Sequence, residues 1–311
     1  MMTGYLLTAG GGRIDLPPFT AWKLKRTESV PCDSFEGHCI WDSGLEPLLE
    51  SACRLIVEED GARRFTGLLD EYELGWGEAG GELFLSGRGL AALLLDNEAE
   101  GQDYQVATLA DILHDHVEPY GIQVSYIASF PPVPDFSVET GASEWQVLYD
   151  FARYHGGIQP RFDVWGNLFV DGAVRGQRLT IDDRSGVTGV RWRDRRYGVY
   201  SEILVRDRGR LGTQRLVNED FARQGGRCRR VITMPGKSAY QAMRYSGQFQ
   251  LDRSAEERFR VEVKLPGSWF CEPGDRVELA LTRPALTGTW TVRETEAVMD
   301  GSGTGVKLTL G

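Results

Sequence analysis

Apolar positions along the chain recur at two periods, and the period changes twice. Through residues 1–98 they alternate as strands require, because successive side chains of a strand point to opposite faces. Leu55-Ile56-Val57 and Phe65-Thr66-Gly67-Leu68-Leu69 flank Asp60-Gly61, and Asp-Gly between apolar runs predicts a hairpin. A strand through Leu83 to Leu85 then meets a glycine bend and a short apolar helix from Leu90 to Leu95. Gly87-x-Gly89 resembles the start of a dinucleotide loop, but Ala92 stands where the third glycine belongs and no βαβ unit follows, so the pattern predicts a tight strand-to-helix turn.

Residues 99–175 change to the helical period. Leu109, Ile112, Leu113, His116 and Val117 share one face of a helix that stops at Pro119 and Gly121, and an alternating strand follows. Beyond the connector FPPVP, Trp145, Leu148, Tyr149 and Ala152 mark a second helix that ends at Gly156-Gly157. A hairpin turning at Gly166-Asn167 completes a compact α+β unit. From about residue 180 strands return: Val261, Val263 and Leu265; then Val277, Leu279 and Leu281 after a Pro273-Gly274 turn; then Trp290 and Val292; then Val306, Leu308 and Leu310. Strands so spaced predict a small barrel or sandwich, with edges that need covering.

One helix interrupts this last region. VITMPGKSAYQAMRYS, residues 231–246, sets Gly236-Lys237-Ser238 between an apolar run and a helical pattern, as a nucleotide-binding loop does. The phosphate cradle of such loops has a further glycine five residues before Gly236, where Val231 stands. Ser238-Ala239-Tyr240-Gln241 reads instead as a capping box that starts a helix, and Ser143-Glu144-Trp145-Gln146 repeats the device.

Composition narrows the class. A chain of 311 residues has room for two or three domains with real cores. No stretch approaches the roughly 18–20 apolar residues of a membrane span, and no basic start precedes an apolar signal core. Both point to a soluble protein made in the cytoplasm. Cys32, Cys39, Cys53, Cys228 and Cys271 are an odd number at irregular spacing without a Cys-x-x-Cys pair, which predicts free thiols. The net charge of −10 is unevenly placed: residues 1–150 hold about 8 Lys or Arg against about 26 Asp or Glu, so the remainder carries about +8. Arg191, Arg193, Arg195, Arg196, Arg206, Arg208, Arg210, Arg227, Arg229 and Arg230 concentrate the positive charge, with Trp192, Tyr197 and Tyr200 among them. A nucleic-acid groove interleaves arginines with aromatics in this way, and so do strands that present arginine to solvent or to an acidic partner, including a second copy of this chain.

Candidate chemistry is sparse. His38-x-x-x-Asp42 with His114-x-His116 mimics the ligand spacing of lysostaphin-type zinc endopeptidases. Residues two apart diverge by about 200° on a helix, however, and 109–117 has helical periodicity. His116 then falls on the apolar face as a core histidine and His114 faces outward. Glu139, Asp150 and Asp163 are candidate acids for glycoside cleavage only as any carboxylates are. A Gly-x-Ser-x-Gly nucleophile motif is absent. The residues themselves assign no catalytic, cofactor-binding or metal site.

RRFTGLLDEYE, LFLSGRGLAALLLD, ATLADILHDHVEPYGI, SVETGASEWQVLYDFARYHGGIQPRFDVWGNLFVDG, VKLPGSWFCEPGDRVELAL and GTWTVRETEAVMDGSGTGVKLTL together resemble, in order, the baseplate hub proteins of contractile phage tails and related injection devices, the late control gene D-like family. The first 30 residues and the Arg-rich middle have no evident counterpart. The resemblance implies a β-rich α+β fold with two tail-tube-like β-barrel domains, 1–98 and 179–311, the second carrying a helix near 238–250, and an α+β domain between them, 99–178. It implies a non-enzymatic homotrimer without cofactors, whose pseudo-sixfold ring adapts a hexameric tail tube to a trimeric central spike. Partners would be the tube protein, the spike protein, other baseplate components and the tape measure protein, with no membrane and with DNA only in passage. The location would be the tail baseplate of a virion or particle assembled in the bacterial host cytoplasm. An acidic lumen would repel passing DNA while a basic band meets neighbours. Two alternatives remain: a tail-associated peptidoglycan hydrolase, and a nucleic-acid-binding protein.

Overall fold

The computed structural model describes the chain except residues 29–31, 42, 79, 130, 172–175, 208–211, 235–239, 257 and 268–270, with backbone alone at 126, 241 and 242. The first strand-rich segment runs β1 (Met2–Thr8), β2 (Arg13–Asp15), β3 (Phe19–Thr27), β4 (Ser34–Ile40) and the single turn α1 (Glu46–Leu49). It continues through β5 (Ala52–Glu59), β6 (Ala62–Leu68), β7 (Glu71–Gly77), β8 (Gly80–Arg88) and the short helix α2 (Ala92–Asp96). Asp60 and Gly61 both take positive φ, 50° and 81°, as the β5–β6 hairpin requires.

The α+β unit follows: β9 (Gln102–Ala107), α3 (Leu109–His116), β10 (Val124–Ile127), β11 (Val133–Val138), α4 (Glu144–Gly156), β12 (Arg161–Phe162) and β13 (Leu168–Val170). The predicted face of α3 is buried at Leu109, Ile112, Leu113 and His116; on α4 Trp145, Leu148 and Ala152 are buried as predicted, Tyr149 is half-buried, and Phe151 completes the face. These residues share one core with Leu168 and Val170 of the hairpin. Ser143 caps α4 by accepting from the Gln146 amide at 3.1 Å, but the Gln146 side chain turns to Asp150 at 2.6 Å, so only half of the predicted box forms. A complete box occurs at Thr108 and Asp111, before α3.

The last segment runs β14 (Arg178–Asp182), β15 (Gly189–Asp194), β16 (Glu202–Asp207), β17 (Thr213–Val217), α5 (Glu219–Arg223), β18 (Arg229–Met234) and α6 (Tyr240–Glu256). It ends with β19 (Phe259–Pro266), β20 (Arg276–Thr282), the sixteen-residue β21 (Ala285–Asp300) and β22 (Gly303–Leu310). Strands β17-β16-β18 and helix α6 enclose a separate core of Ile203, Val205, Leu216, Met243 and Leu251. Gly247 lets α6 lie close on this sheet, since a Cβ there would meet Leu216 at 2.6 Å and Val205 at 2.8 Å. The Gly236-Lys237-Ser238 turn and its capping box fall outside the described residues.

The two strand-rich segments are one body. A single sheet runs β15-β19-β22-β21-β3-β4-β8-β7, joined in the middle by the antiparallel β21–β3 ladder, Glu294–Met299 against Trp22–Thr27. Residues of both segments, such as Leu24, Phe35 and Leu85 with Val261, Val277 and Leu308, form one hydrophobic cluster beneath it. Each half of the sheet has the same construction. In chain order the strands are β3, β4, β7 and β8 on one side and β15, β19, β21 and β22 on the other, and in each the spatial order is first, second, fourth, third. Both third-to-fourth hairpins close with two residues, between Gly77 and Gly80 and between Asp300 and Gly303.

A second layer covers each half: β2-β1-β5-β6 on the first, and β14, β20 and the N-terminal part of β21 on the second. The first pair of layers meets where two glycines face backbone. A Cβ at Gly67 would lie 2.2 Å from the Arg88 carbonyl, and one at Gly87 2.2 Å from the Leu68 carbonyl. Gly87→Ala is therefore expected to force these layers apart at a cost of about 1–3 kcal/mol, read as a lower urea midpoint. Gly77→Ala, where an added methyl meets nothing within 4 Å, should leave the midpoint within about 0.5 kcal/mol of the parent chain.

Candidate assembly surface

The face of the large sheet opposite the core follows from strand alternation. It carries Lys23 and Lys25 of β3, Glu36 and His38 of β4, Glu294 and Glu296 of β21, Lys307 of β22, and Arg191 and Arg193 of β15. Opposite charges meet across neighbouring strands: Lys25 Nζ lies 3.5 Å from Glu294, Lys307 Nζ 3.0 Å from Glu296, and Arg191 3.9 Å from Glu262. Each such pair is partly exposed and individually weak. Their joint effect is a face of mixed sign rather than a uniformly acidic one. About half of the acidic excess of the N-terminal half lies in the α+β unit, where the sequence contains no Lys or Arg between Arg88 and Arg153.

The sheet stops at two open edges of opposite charge. On β7, Glu71 and Glu73 alternate with Tyr72 and Leu74, and Trp76 is 77% exposed. On β15, Arg191 and Arg193 flank Trp192, which is 54% exposed and stacks on Phe259. Among the described residues Glu71, Glu73 and Arg193 have no ion-pair partner. The outer backbone groups of β7 and β15 have no ladder partner either, the condition in which an edge pairs with another strand. His38 and Glu82, 2.9 Å apart, line a groove beside β7 together with Glu73, Gly75 and Phe84.

The histidines of the predicted zinc spacing are dispersed. His38 sits on β4 beside Glu82, Asp42 lies outside the described residues, and His114 points to solvent and pairs with Glu118 at 2.9 Å. His116 is 3% exposed, and both of its ring nitrogens are engaged: Nδ1 with Glu144 Oε2 at 2.6 Å and Nε2 with the Tyr104 hydroxyl at 3.1 Å. Tyr120 donates to the other oxygen of Glu144 at 2.9 Å, and Tyr104 donates to Asp115 at 2.7 Å. This network ties β9, α3 and α4 together and satisfies a buried carboxylate, the role of a core histidine. Among the described residues no three His, Cys, Asp or Glu side chains are placed to hold a metal ion.

The other candidate carboxylates have local roles. Asp163 accepts from the Trp165 and Asn167 amides at 2.9 and 2.8 Å and shapes the β12–β13 turn. Asp150, raised by burial, accepts from Gln146, and Glu139 lies in the turn before α4. All five thiols are free, and among the described residues no helix is long and apolar enough to cross a membrane.

The arginine-rich stretch does not form one surface. Arg191 and Arg193 belong to the large sheet, whereas Arg215 and Arg229 grip Glu202 from either side on the small one. Arg258 is buried against Asp194 at 2.9 Å, and Arg230 donates to the Tyr200 hydroxyl at 2.7 Å. The sequence reading missed Glu71 and Glu73. Their signal was present as Glu71-Tyr72-Glu73 and Arg191-Trp192-Arg193, two charge–aromatic–charge triplets of opposite sign.

No protein-family model and no curated protein matches the sequence. Solved structures do match the fold. A tail protein from Neisseria meningitidis is similar over 99% of this chain and 96% of its own, at 20% identity and a TM-score of 0.80. The prophage MuSo2 43 kDa tail protein from Shewanella oneidensis is similar over 99% and 98%, at 17% identity and a TM-score of 0.82. An E. coli component of the type VI secretion system, described as similar in structure to the T4 bacteriophage tail proteins gp27 and gp5, is similar over 94% of this chain and 73% of its own, at 11% identity and a TM-score of 0.59. The chain thus has a β-rich α+β fold shared with phage tail proteins, as the sequence predicts.

The Glu202 clamp generates a pH prediction. Hydrogen bonds from Arg229 and then Arg215 hold this carboxyl below its ordinary value of 4.5. A depressed folded value means that the clamp stabilises the native state above about pH 4.5 and that this contribution is lost as pH falls through the folded value. Glu202→Gln should lower the urea midpoint at neutral pH and flatten its dependence on pH below about 4.5. An unchanged acid limb would assign the loss to other carboxylates.

Proposed function

We propose that this chain is a structural hub subunit of a contractile tail or related injection device, three copies of which form a pseudo-sixfold ring between a hexameric tube and a trimeric central spike. One observation carries the reading: the large sheet contains the same four-strand unit twice, side by side, in the same spatial order. Two units per chain in three chains give six quasi-equivalent positions, matching a sixfold partner on one side. The parts that differ between the halves, the α+β unit after β8 and the α6 unit between β15 and β19, then recur only three times and are available to a threefold partner. The fold shared with phage tail proteins and with the secretion-system component supports the same assignment.

The role is architectural. His116, the best catalytic candidate of the sequence, is spent on a buried hydrogen-bond network, and the candidate carboxylates serve turns and helices. Tube, spike and neighbouring baseplate proteins are the expected partners, and the tail of a particle is the expected location.

Electron microscopy of the purified chain, alone and mixed with its spike, should show rings with six lobes and true threefold symmetry. Particles with twofold symmetry, or monomers under both conditions, would refute the assignment. The same preparation should leave the turbidity of a peptidoglycan suspension unchanged; clearing that disappears in His116→Ala while the fold persists would instead make the chain a hydrolase.

A further inference from the structure

The internal β21–β3 ladder is a joint between two similar units, and the same joint is left unmade at each end of the sheet. The equivalence can be carried residue by residue through the hydrogen-bond registers. Aligning the two-residue hairpins sets Glu71 and Glu73 on Glu294 and Glu296, and Leu83 and Leu85 on Val306 and Leu308. The next ladders set Phe35 and Glu36 on Val261 and Glu262, and the last set Lys23, Leu24 and Lys25 on Arg191, Trp192 and Arg193. Charge and apolar character agree at each of these positions, although the alignment used only backbone pairing.

We propose that β7 of one copy pairs antiparallel with β15 of a second copy of this chain, in the register of the β21–β3 ladder. This rests on the ring reading above and names its joint. Within the chain Glu296 stands opposite Lys25. Transferred to the open edges, the same register brings Glu73 opposite Arg193, Glu71 opposite Arg195, Leu74 opposite Trp192 and Trp76 opposite Val190. The first two pairings match opposite charges, and the last two cover Trp76 and Trp192, both more than half exposed in the isolated chain. Pairing either edge with its own kind is disfavoured, since β7 on β7 sets glutamates together and β15 on β15 arginines. The joint is therefore head-to-tail, the kind of contact that closes into a ring.

Glu73→Cys and Arg193→Cys in one chain, on a Cys53→Ser background to remove the exposed thiol, test the register. Opposed residues of an antiparallel pair lie about 4.5–5.5 Å apart at Cα, within disulfide reach. Oxidation should give dimers and trimers on a denaturing gel and nothing larger. Neither single-cysteine chain should link, and Glu73→Cys with Arg191→Cys, two residues out of register, should link far less. Glu73→Arg or Arg193→Glu should each abolish the trimer seen by native mass spectrometry, and the double reversal should restore it. Trimers that persist through both single reversals, with no disulfide forming between positions 73 and 193 in the double-cysteine chain, would overturn this joint while leaving the ring intact. A parent chain that stays monomeric up to its solubility limit and gives no link would overturn both.

Discussion

The antiparallel ladder between β21 and β3 decides what kind of object this protein is. It pairs residues near position 25 with residues near position 296, and in doing so it turns two strand-rich halves into one sheet over one hydrophobic cluster. Arg26 lies on the core side of that ladder, only 2% exposed, opposite the buried Thr295. Its guanidinium reaches Glu272 and the Arg64 carbonyl, with Asp33 at 3.6 Å. A buried guanidinium gains little net stability over a well-packed apolar residue. It does require specific partners, and here those partners come from both halves of the chain, which fixes how the halves meet.

The accessory units hang from this body at different points and carry opposite charge. The acidic α+β unit follows β8, and the arginine-bearing α6 unit is inserted between β15 and β19. They touch where Tyr154 of α4 packs edge-on against Phe249 of α6, with Arg153 and Arg253 over the Phe249 ring. The contact joins an aromatic core to guanidinium planes, an arrangement that tolerates partial exposure. Within the acidic unit, the His116–Glu144–Tyr120 cluster satisfies a carboxylate that would otherwise be costly to bury.

Local pattern made most elements legible. Apolar runs and alternation located β5, β6, β8 and the strands from β19 to β22, and the 3.6 period gave the buried face of α3 and most of that of α4, whereas β7 was not read as a strand. The β21–β3 pairing was not legible, because it depends on registers between segments some 270 residues apart that no local period encodes. The separate core under α6 was missed for a related reason: among the described residues of that helix only Met243 and Leu251 belong to the core, and a glycine replaces a side chain where it crosses the sheet. The open edges were half legible. Arg191 and Arg193 stood out inside a basic run, whereas Glu71 and Glu73 were lost in a segment where carboxylates are common. Comparing Glu-x-Glu at 71 and 294 with Lys-x-Lys at 23 and Arg-x-Arg at 191 marks the internal joint and the two open edges at once.

The two copies of the four-strand unit are free to diverge because they sit in one polypeptide. Identical subunits around a sixfold axis must wear identical ornaments, so any insertion that one gains, all six gain. A chain holding the unit twice breaks that obligation: one copy accepts a long excursion between its first and second strands, the other keeps a short turn there, and both preserve the backbone pairing that the sheet needs. Asymmetry is thereby encoded covalently, before any neighbour arrives to select it.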